Sequence, residues 1–417
     1  MTIQNPPKEN HHEAIRFTTD ICHSELEQTL RTGAQKLLIA ALEAEVENYL
    51  EAHHEARDEH GRRLVVRNGY AATRRVQTGL GHLEVRAPRV DDRREQERFT
   101  SRILPPYLRR TPSLENLIPI LYLKGISTSA MSAALEPLLG PQAAGLSPAT
   151  IVRLISGWQD DYQAWLKRDL TSQRFVYLWA DGIYCNVRLS DDRPCLLVVI
   201  GAREDGTKEL LAVVDGERES EQSWLGVLSD LKARGIKQPP KLAVADGALG
   251  FWPALEQVWP SCAKQRCWVH KTANVLDKLP KKLQPEAKER LHAIWQAATR
   301  KDAEAAFEQF LALYQAKYPK ATSCLQKDRG VLLAFYDFPA EHWIHLRTTN
   351  PIESSFATIR HRARQTKGCG SRAATLAMMF KLGCECEKSW RRLNACEQLH
   401  KLIKGVRFID GVAEKAA

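Results

Sequence analysis

Nowhere in this 417-residue chain do about 18 apolar residues follow one another, so no segment reads as a membrane span. The first residues, MTIQNPPKENHHEA, lack the apolar stretch of a secretory leader. The ten cysteines show none of the even spacing of a disulfide framework, and a chain this long does not need one. They read as reduced thiols of a cytoplasmic protein. Familiar catalytic signatures are missing too. There is no GxxxxGK[ST] loop for ATP phosphates, no GxSxG elbow and no HExxH pair. These absences set aside P-loop ATPases, serine hydrolases of the elbow type and zinc proteases.

What is present is a substantial core and an uneven distribution of charge. Apolar residues make up 44% of the chain, enough for roughly two to four domains at this length. Sixty basic and fifty acidic residues leave a net charge of +10. Residues 24–59 hold nine acids and three bases, whereas residues 61–112 hold thirteen arginines and five acids. A second basic stretch, 347–381, holds seven Lys/Arg and one acid, Glu353. Basic charge gathered in blocks points to nucleic-acid phosphates.

The apolar positions Leu26, Leu30, Leu37, Leu38, Ala41, Leu42, Val46 and Leu50 recur at helical spacing from Ser24 to about Ala56. This acidic helix needs a partner surface, either within its own chain or in a dimer. In 61–110, short alternating stretches are punctuated by Asn68-Gly69 and Gly79–Gly81 and flanked by arginines, which suits β structure that meets DNA phosphates. Residues 113–135 read as helix, Gly turn and helix, and Ser147-Pro148 starts another; together they fit a helix-turn-helix. From 174 the texture changes. FVYLWA, CLLVVIGA and LLAVV predict three antiparallel strands; a helix capped near Ser220 and ending at Gly235, the strand KLAVA, a short helix and a fifth strand around AKQRCWV follow. That order is the order of an RNase H-like α/β core with a mixed sheet. Residues 273–340 are helical and read as an all-α insertion.

Three acids stand at the ends of these elements: Asp181 after FVYLWA, Asp246 after KLAVA and Glu353 in TTNPIES. Carboxylates so placed can hold two divalent cations against a phosphate. Each also has a plainer reading. Asp-Gly, at 181, 205, 215 and 246, is first a turn signal. Asp205 lies in a polar link and is a turn; Asp215 ends a strand leading to the sheet edge. Asp181 and Asp246, though 65 residues apart, end strands that are neighbours in such a sheet. Glu353 fits a capping box with Asn350 as N-cap and Pro351 at the first helical position. The basic helix behind it, with Arg360, Arg362 and Arg364, suits phosphate binding equally well. Cys267 and His270 form a lone Cys-x-x-His pair. A structural zinc site needs four ligands, and neither Cys262 nor Cys384-x-Cys386 completes one. His270 therefore reads as a polar residue near the site or a core histidine.

The segments RNGY with TGLGHLEVRAPR, LYLKGISTSAM, YLWADGIY, VADGALGFWPAL, QRCWVHKTANVL and TTNPIESSFATIRHR resemble the bacterial Mutator-type insertion-sequence transposases. These are members of the DDE superfamily with an RNase H-like catalytic core. The resemblance runs in family order from about residue 60 to 395. It implies catalytic, metal-binding acids at Asp181, Asp246 and Glu353, with His270 beside them, and Mg²⁺ as cofactor with Mn²⁺ able to substitute. It implies cleavage and strand transfer on double-stranded DNA, at terminal inverted repeats and target, by a homodimer that pairs two ends. The DNA contacts are placed at Arg62, Arg63, Arg67, Arg74, Arg75, Arg86, Arg89, Arg360, Arg362, Arg364 and Lys367. The expected division is an acidic helical region (1–60), an Arg-rich segment (61–112), a helix-turn-helix-like domain (113–172), a core in two parts (173–272 and 341–395) split by the insertion (273–340), and a tail (396–417). A nuclease or resolvase without strand transfer and a non-catalytic DNA-binding regulator are the alternatives.

Overall fold

The computed structural model describes residues 25–95, 98–128, 130–139, 147–184, 195–216, 218–247, 250–365 and 371–414, with side chains at all but 137, 138, 148, 154 and 358–365. Two compact units, Met1–Ile155 and Ser156–Ala417, divide the chain within one helix.

In the first unit the acidic helix α1 (Glu25–Ala52) buries Leu42 and Val46. The Arg-rich block forms β1 (Val65–Tyr70), β2 (Arg74–Thr78), β3 (Gly81–Val85) and β4 (Pro88–Asp92), paired antiparallel as β1–β4 and β2–β3. Leu42 packs with Val76, Leu83, Val85 and Leu104 of that block. Charge follows the same contact: Glu43 pairs with Arg67 at 2.7 Å, and Glu45 accepts the Arg102 N–H at 2.6 Å. The acidic helix therefore finds a partner in its own basic block, although Leu26, Leu30 and Leu37 remain exposed. Helices α2 (Pro112–Leu123), α3 (Met131–Leu139) and the start of α4 (Pro148–Leu166) share a core of Leu114, Ile118, Met131, Leu135, Leu139 and Ile151. The turn after α2 is a Schellman motif. The Ile126 N–H reaches the Leu121 carbonyl (3.1 Å), the Gly125 N–H reaches Tyr122 (3.2 Å), and Gly125 has φ +119°.

The second unit is built on a five-stranded mixed sheet: β5 (Phe175–Tyr184), β6 (Cys195–Arg203), β7 (Lys208–Gly216), β8 (Leu242–Ala245) and β9 (Ala263–Arg266), in spatial order β7-β6-β5-β8-β9. The first three run antiparallel, while β8 and β9 run parallel to β5. Helices α5 (Glu221–Ala233) and α6 (Phe251–Val258) cover one face. There Trp224, Leu228, Phe251 and Leu255 pack on Leu178, Ala180, Leu197 and Ala243. Ser220 caps α5 by accepting the Ser223 N–H, as expected. Side chains alternate along a strand, so Tyr177 and Trp179 turn to the opposite face. There the Tyr177 hydroxyl lies 2.8 Å from His342 Nδ1 and the Trp179 indole donates to the His345 carbonyl (2.9 Å).

Two expected boundaries move. β5 continues past Asp181 to Tyr184, because β6 still pairs with it after β8 has ended. The fifth strand stops at Arg266, and the apolar Trp268 opens helix α7 (Trp268–Leu276) instead. The following helices are α8 (Gln284–Gln296), α9 (Arg300–Tyr314), α10 (Pro319–Gln326) and α11 (Arg329–Leu332). Arg266 and the fully buried Lys271 both pair with Asp328, between α10 and α11. The Gln265 amide and the Trp268 indole also donate to the Leu332 carbonyl, at 3.0 and 2.8 Å. After α12 (Trp343–Leu346) come α13 (Asn350–Gln365), which packs on β5 and β6, and α14 (Arg372–Glu387), which packs on β7. Helix α15 (Gln398–Ile403) and the short pair β10 (Phe408–Ile409) and β11 (Val412–Ala413) finish the described chain. None of the described helices is long and apolar enough to cross a membrane.

Removing Asp328 leaves two buried cations without a counter-charge. Asp328→Ala is expected to lower unfolding free energy by about 3–5 kcal/mol, measured by urea denaturation.

Candidate active site

The register of the sheet brings the first two acids together. Ala180 lies opposite Ala245, and Ala245 lies opposite Arg266. One residue further along come Asp181, Asp246 and Cys267, and the Cys267 N–H still donates to the Ala245 carbonyl (2.9 Å). The alternation that sends Tyr177 and Trp179 away from α5 and α6 sends Asp181 the same way. Each aspartate accepts the N–H of the glycine after it, at 3.0 Å for Gly182 and 2.6 Å for Gly247.

Glu353 arrives from the first turn of α13, whose positive N-terminal end suits a carboxylate. The helix begins at Asn350, the expected cap, one residue before the expected first helical position Pro351. The Thr349 N–H goes to the Cys267 sulfur (3.4 Å), so Glu353 is not the reciprocal half of a capping box. Its Oε1 instead accepts the Thr349 hydroxyl at 2.8 Å. The segment before it is held firmly. The Arg347 carbonyl accepts the Trp268 N–H (2.9 Å), and the Arg347 guanidinium sits over the rings of Phe335, Trp343 and Trp295 at 4.7–5.7 Å.

Cys267 and His270 are three residues apart at the start of α7, so they share one face of that helix. His270 Nδ1 lies 3.6 Å from Glu353 Oε1 and 4.0 Å from Asp246 Oδ1. Side-chain exposures of 31%, 33% and 25% for His270, Asp246 and Glu353 leave this cluster open to a substrate. The Cys267 sulfur, then Asp246 and Asp181, hold His270 up at about 9 against the effect of burial, so the imidazolium persists at neutral pH. Burial pushes the Asp181 carboxyl up to about 7; His270 opposes this, and the charges of Glu353, Glu219 and Asp246 add to it.

Glu219 is the acid that sequence reasoning missed. It sits just before α5, and a Cβ on Gly182 would overlap its carboxylate. Burial, then Asp246, raise its pKa. Gly206, in the Asp205 turn, has φ +83°, whereas neither Gly182 nor Gly247 takes a positive φ. Gly182 makes room for Glu219, and Gly247 for the Arg266 guanidinium. These two Asp-Gly pairs are close-approach sites, not turns. Asp215 stays apart on the edge strand, paired with Arg372 (2.8 Å).

The expected DNA-contacting residues divide. Arg62, Arg63, Arg86 and Arg89 are exposed and form no ion pair among the described residues. Arg67 and Arg75 are paired with Glu43 and Glu84, and Arg74 donates to the carbonyls of Leu104 and Pro105. Arg360, Arg362 and Arg364 lie on α13, but their side chains, like all of Lys367, fall outside the described residues. Within the second basic stretch, Arg347 is enclosed by aromatic rings, and Arg372 and Lys381 pair with Asp215 and Asp161.

Fold and site together define an α/β protein with acids gathered where the parallel pairing of β5 and β8 ends. A family model described as "Transposase, Mutator family" matches residues 8–392. The chain is 50% identical over 289 residues to the transposase for insertion sequence element IST2 of Acidithiobacillus ferrooxidans, covering 68% of this chain and 95% of that relative. It is 51% identical over 298 residues to the transposase for IS6120 of Mycolicibacterium smegmatis, covering 72% and 92%. A third, the transposase for ISRM5 of Rhizobium meliloti, is 29% identical over 371 residues, covering 88% and 89%. The chain belongs to the Mutator family of transposases.

The Asp181 shift gives a pH test with a definite sign. Between the ordinary value of 3.8 and about 7, the folded state keeps a proton that the unfolded chain has lost. Stability linked to this group is therefore full below 3.8 and falls as pH rises through 7. In EDTA, Asp181→Asn should gain stability over wild type at pH 7.5 and not at pH 4, read from urea unfolding at both.

Proposed function

We propose that this chain is a DDE transposase with an RNase H-like core that cuts and joins DNA at the ends of an insertion sequence. The observation that carries the reading is the convergence of Asp181, Asp246 and Glu353, from two parallel strands and a helix start, beside His270. The sheet order, with three antiparallel strands and then two parallel to the first, supports it.

The donor set fits Mg²⁺. Its ligand atoms are carboxylate oxygens, and a hard dication relieves both the burial of the Asp181 carboxylate and the repulsion that its neighbours Glu353, Glu219 and Asp246 add. Asp181, Asp246 and Glu353 would hold the metal, with Glu219 adjacent and Mn²⁺ an acceptable substitute. When bound, Mg²⁺ supplies Lewis-acid stabilisation of phosphodiester oxygens during cleavage and strand transfer. The chain's own groups do the positioning. Thr349 orients Glu353, the α13 N-terminus faces the anionic substrate, and the His270 imidazolium offers a cation to a phosphate oxygen. Arg62, Arg63, Arg86 and Arg89 are the side chains we assign to DNA phosphates, together with those of α13. The Arg-rich and helix-turn-helix-like regions would recognise terminal inverted repeats; a dimer would pair two ends in the bacterial cytoplasm. The insertion would span 273–340, between the second and third acids.

Two experiments test this. Pre-cut end DNA, a target plasmid and Mg²⁺ should yield joined product, and Asp181→Asn, Asp246→Asn or Glu353→Gln should each lower it at least ~10³-fold with end binding retained. Cleavage without joining would establish a nuclease instead, and end binding with neither cleavage nor joining by the wild type would leave only a DNA-binding regulator; full activity in all three variants would overturn the catalytic role of the acids. For the arginines, replacing Arg86 and Arg89 together by Ala should reduce the slope of log K against log salt by about 2, measured by fluorescence anisotropy on end DNA.

A further inference from the structure

Cys267 is unused by the reaction above, yet its sulfur lies within the acid cluster. Cys267 Sγ, a His270 ring nitrogen and a Glu353 carboxylate oxygen all lie within 4.8 Å of one another. They converge on a single hydroxyl: Thr349 Oγ1 is 3.4 Å from Cys267 Sγ, 3.5 Å from His270 Nδ1 and 2.8 Å from Glu353 Oε1. A sulfur, an imidazole nitrogen and a carboxylate oxygen, each able to ligate a cation once deprotonated, thus crowd one point.

The chemistry of this set differs from that of the three acids. Sulfur and imidazole select borderline-soft ions, and Mg²⁺ takes neither readily. A Cys–His–carboxylate triple leaves one position of a tetrahedron open. Thiolate and carboxylate together neutralise a dication, which suits a place where Cys267 is wholly buried. We propose that Cys267, His270 and Glu353 form a second metal site, selective for Zn²⁺ or a like ion, that shares Glu353 with the Mg²⁺ set. Binding converts the Cys267 thiol to a metal-bound thiolate and the His270 imidazolium to a neutral imidazole ligand, and releases both protons to solvent. An ion held there takes Glu353 out of the catalytic set, so zinc occupancy inhibits strand transfer. That consequence rests on the function proposed above; the site itself does not.

The sequence alone argued against zinc because no second Cys/His pair lies near Cys267 in the chain. The third ligand comes from 86 residues further on, 267 to 353, and only folding brings it within reach.

The test uses the full chain, reduced and metal-free, titrated with Co²⁺ as the spectroscopic probe. One equivalent should give a sulfur-to-cobalt charge-transfer band in the near ultraviolet and the intense visible bands of four-coordinate cobalt, both abolished by Zn²⁺. Cys267→Ser and His270→Ala should each lose the spectrum, and Glu353→Gln should weaken cobalt affinity at least ~10-fold. Asp181→Asn should keep it. Circular dichroism identifies any variant that fails to fold; if Cys267→Ser does, the partly exposed His270 and Glu353 variants decide. Absence of the charge-transfer band in wild type, or its persistence in His270→Ala, overturns the site. In the strand-joining assay, stoichiometric Zn²⁺ should suppress product in the presence of excess Mg²⁺; undiminished joining overturns the inhibition. If wild type joins no DNA even without Zn²⁺, the transposase mechanism fails while the cobalt spectrum still judges the site.

Discussion

The pairing of β8 against β5, with Ala245 opposite Ala180, is the constraint on which the rest of this site depends. Strand side chains alternate, so a slip of one residue would send Asp246 into the apolar layer under α5 and α6. The Lys241 N–H, donating to the Val176 carbonyl at 2.7 Å before the strand, extends this pairing, and on the other side of β8 the Cys267 N–H closes onto the Ala245 carbonyl after β9. Between them Leu242, Ala243, Val244 and Ala245 are all buried, so no alternative register escapes a cost in packing. The register of β9 against β8, with Arg266 opposite Ala245, sets Cys267 beside Asp246, and the start of α7 then places His270 three residues on.

Around this row the protein accumulates negative charge. Asp181, Asp246, Glu219 and Glu353 share one small volume with the His270 imidazolium. Such a cluster opposes folding by itself, and perturbed carboxylates of this kind gather at functional sites. The cost is offset elsewhere in the unit, by the sheet layer packed on Trp224 and Phe251 and by the Asp328 pairs that fasten the helical region to β9 and α7. Rigidity at the third acid comes from an unexpected source. Arg347, which in sequence is one more member of a basic block, spends its charge inside an aromatic enclosure and fixes the segment leading to Glu353.

Much of this was legible in the chain. Helical spacing announced α1, Ser220 announced the start of α5, and Lys124-Gly125 announced the turn after α2. Apolar runs ending at Asp181 and Asp246 marked those two acids, because a strand that is hydrophobic on both faces and closes on a carboxylate is an unusual local pattern. Glu219 was invisible, since it lies in a polar link with no periodicity and is drawn to Gly182 only by the packing of α5. The arginines were legible as a block and not as individuals: which of them meet a carboxylate or a carbonyl is set by the neighbour that folding supplies.

By itself, then, the sequence determined the kinds of element, their order and the two aspartates, because these follow from periodicity and local backbone preference. Tertiary structure alone decided which side chains share a volume. Whether Glu353 completes a capping box or joins a polar cluster turns on where the Thr349 N–H goes, and it goes to a sulfur 82 residues away in the chain. Long-range contacts of this kind leave no local signal, since each partner's own neighbourhood is compatible with several fates until the sheet register chooses one.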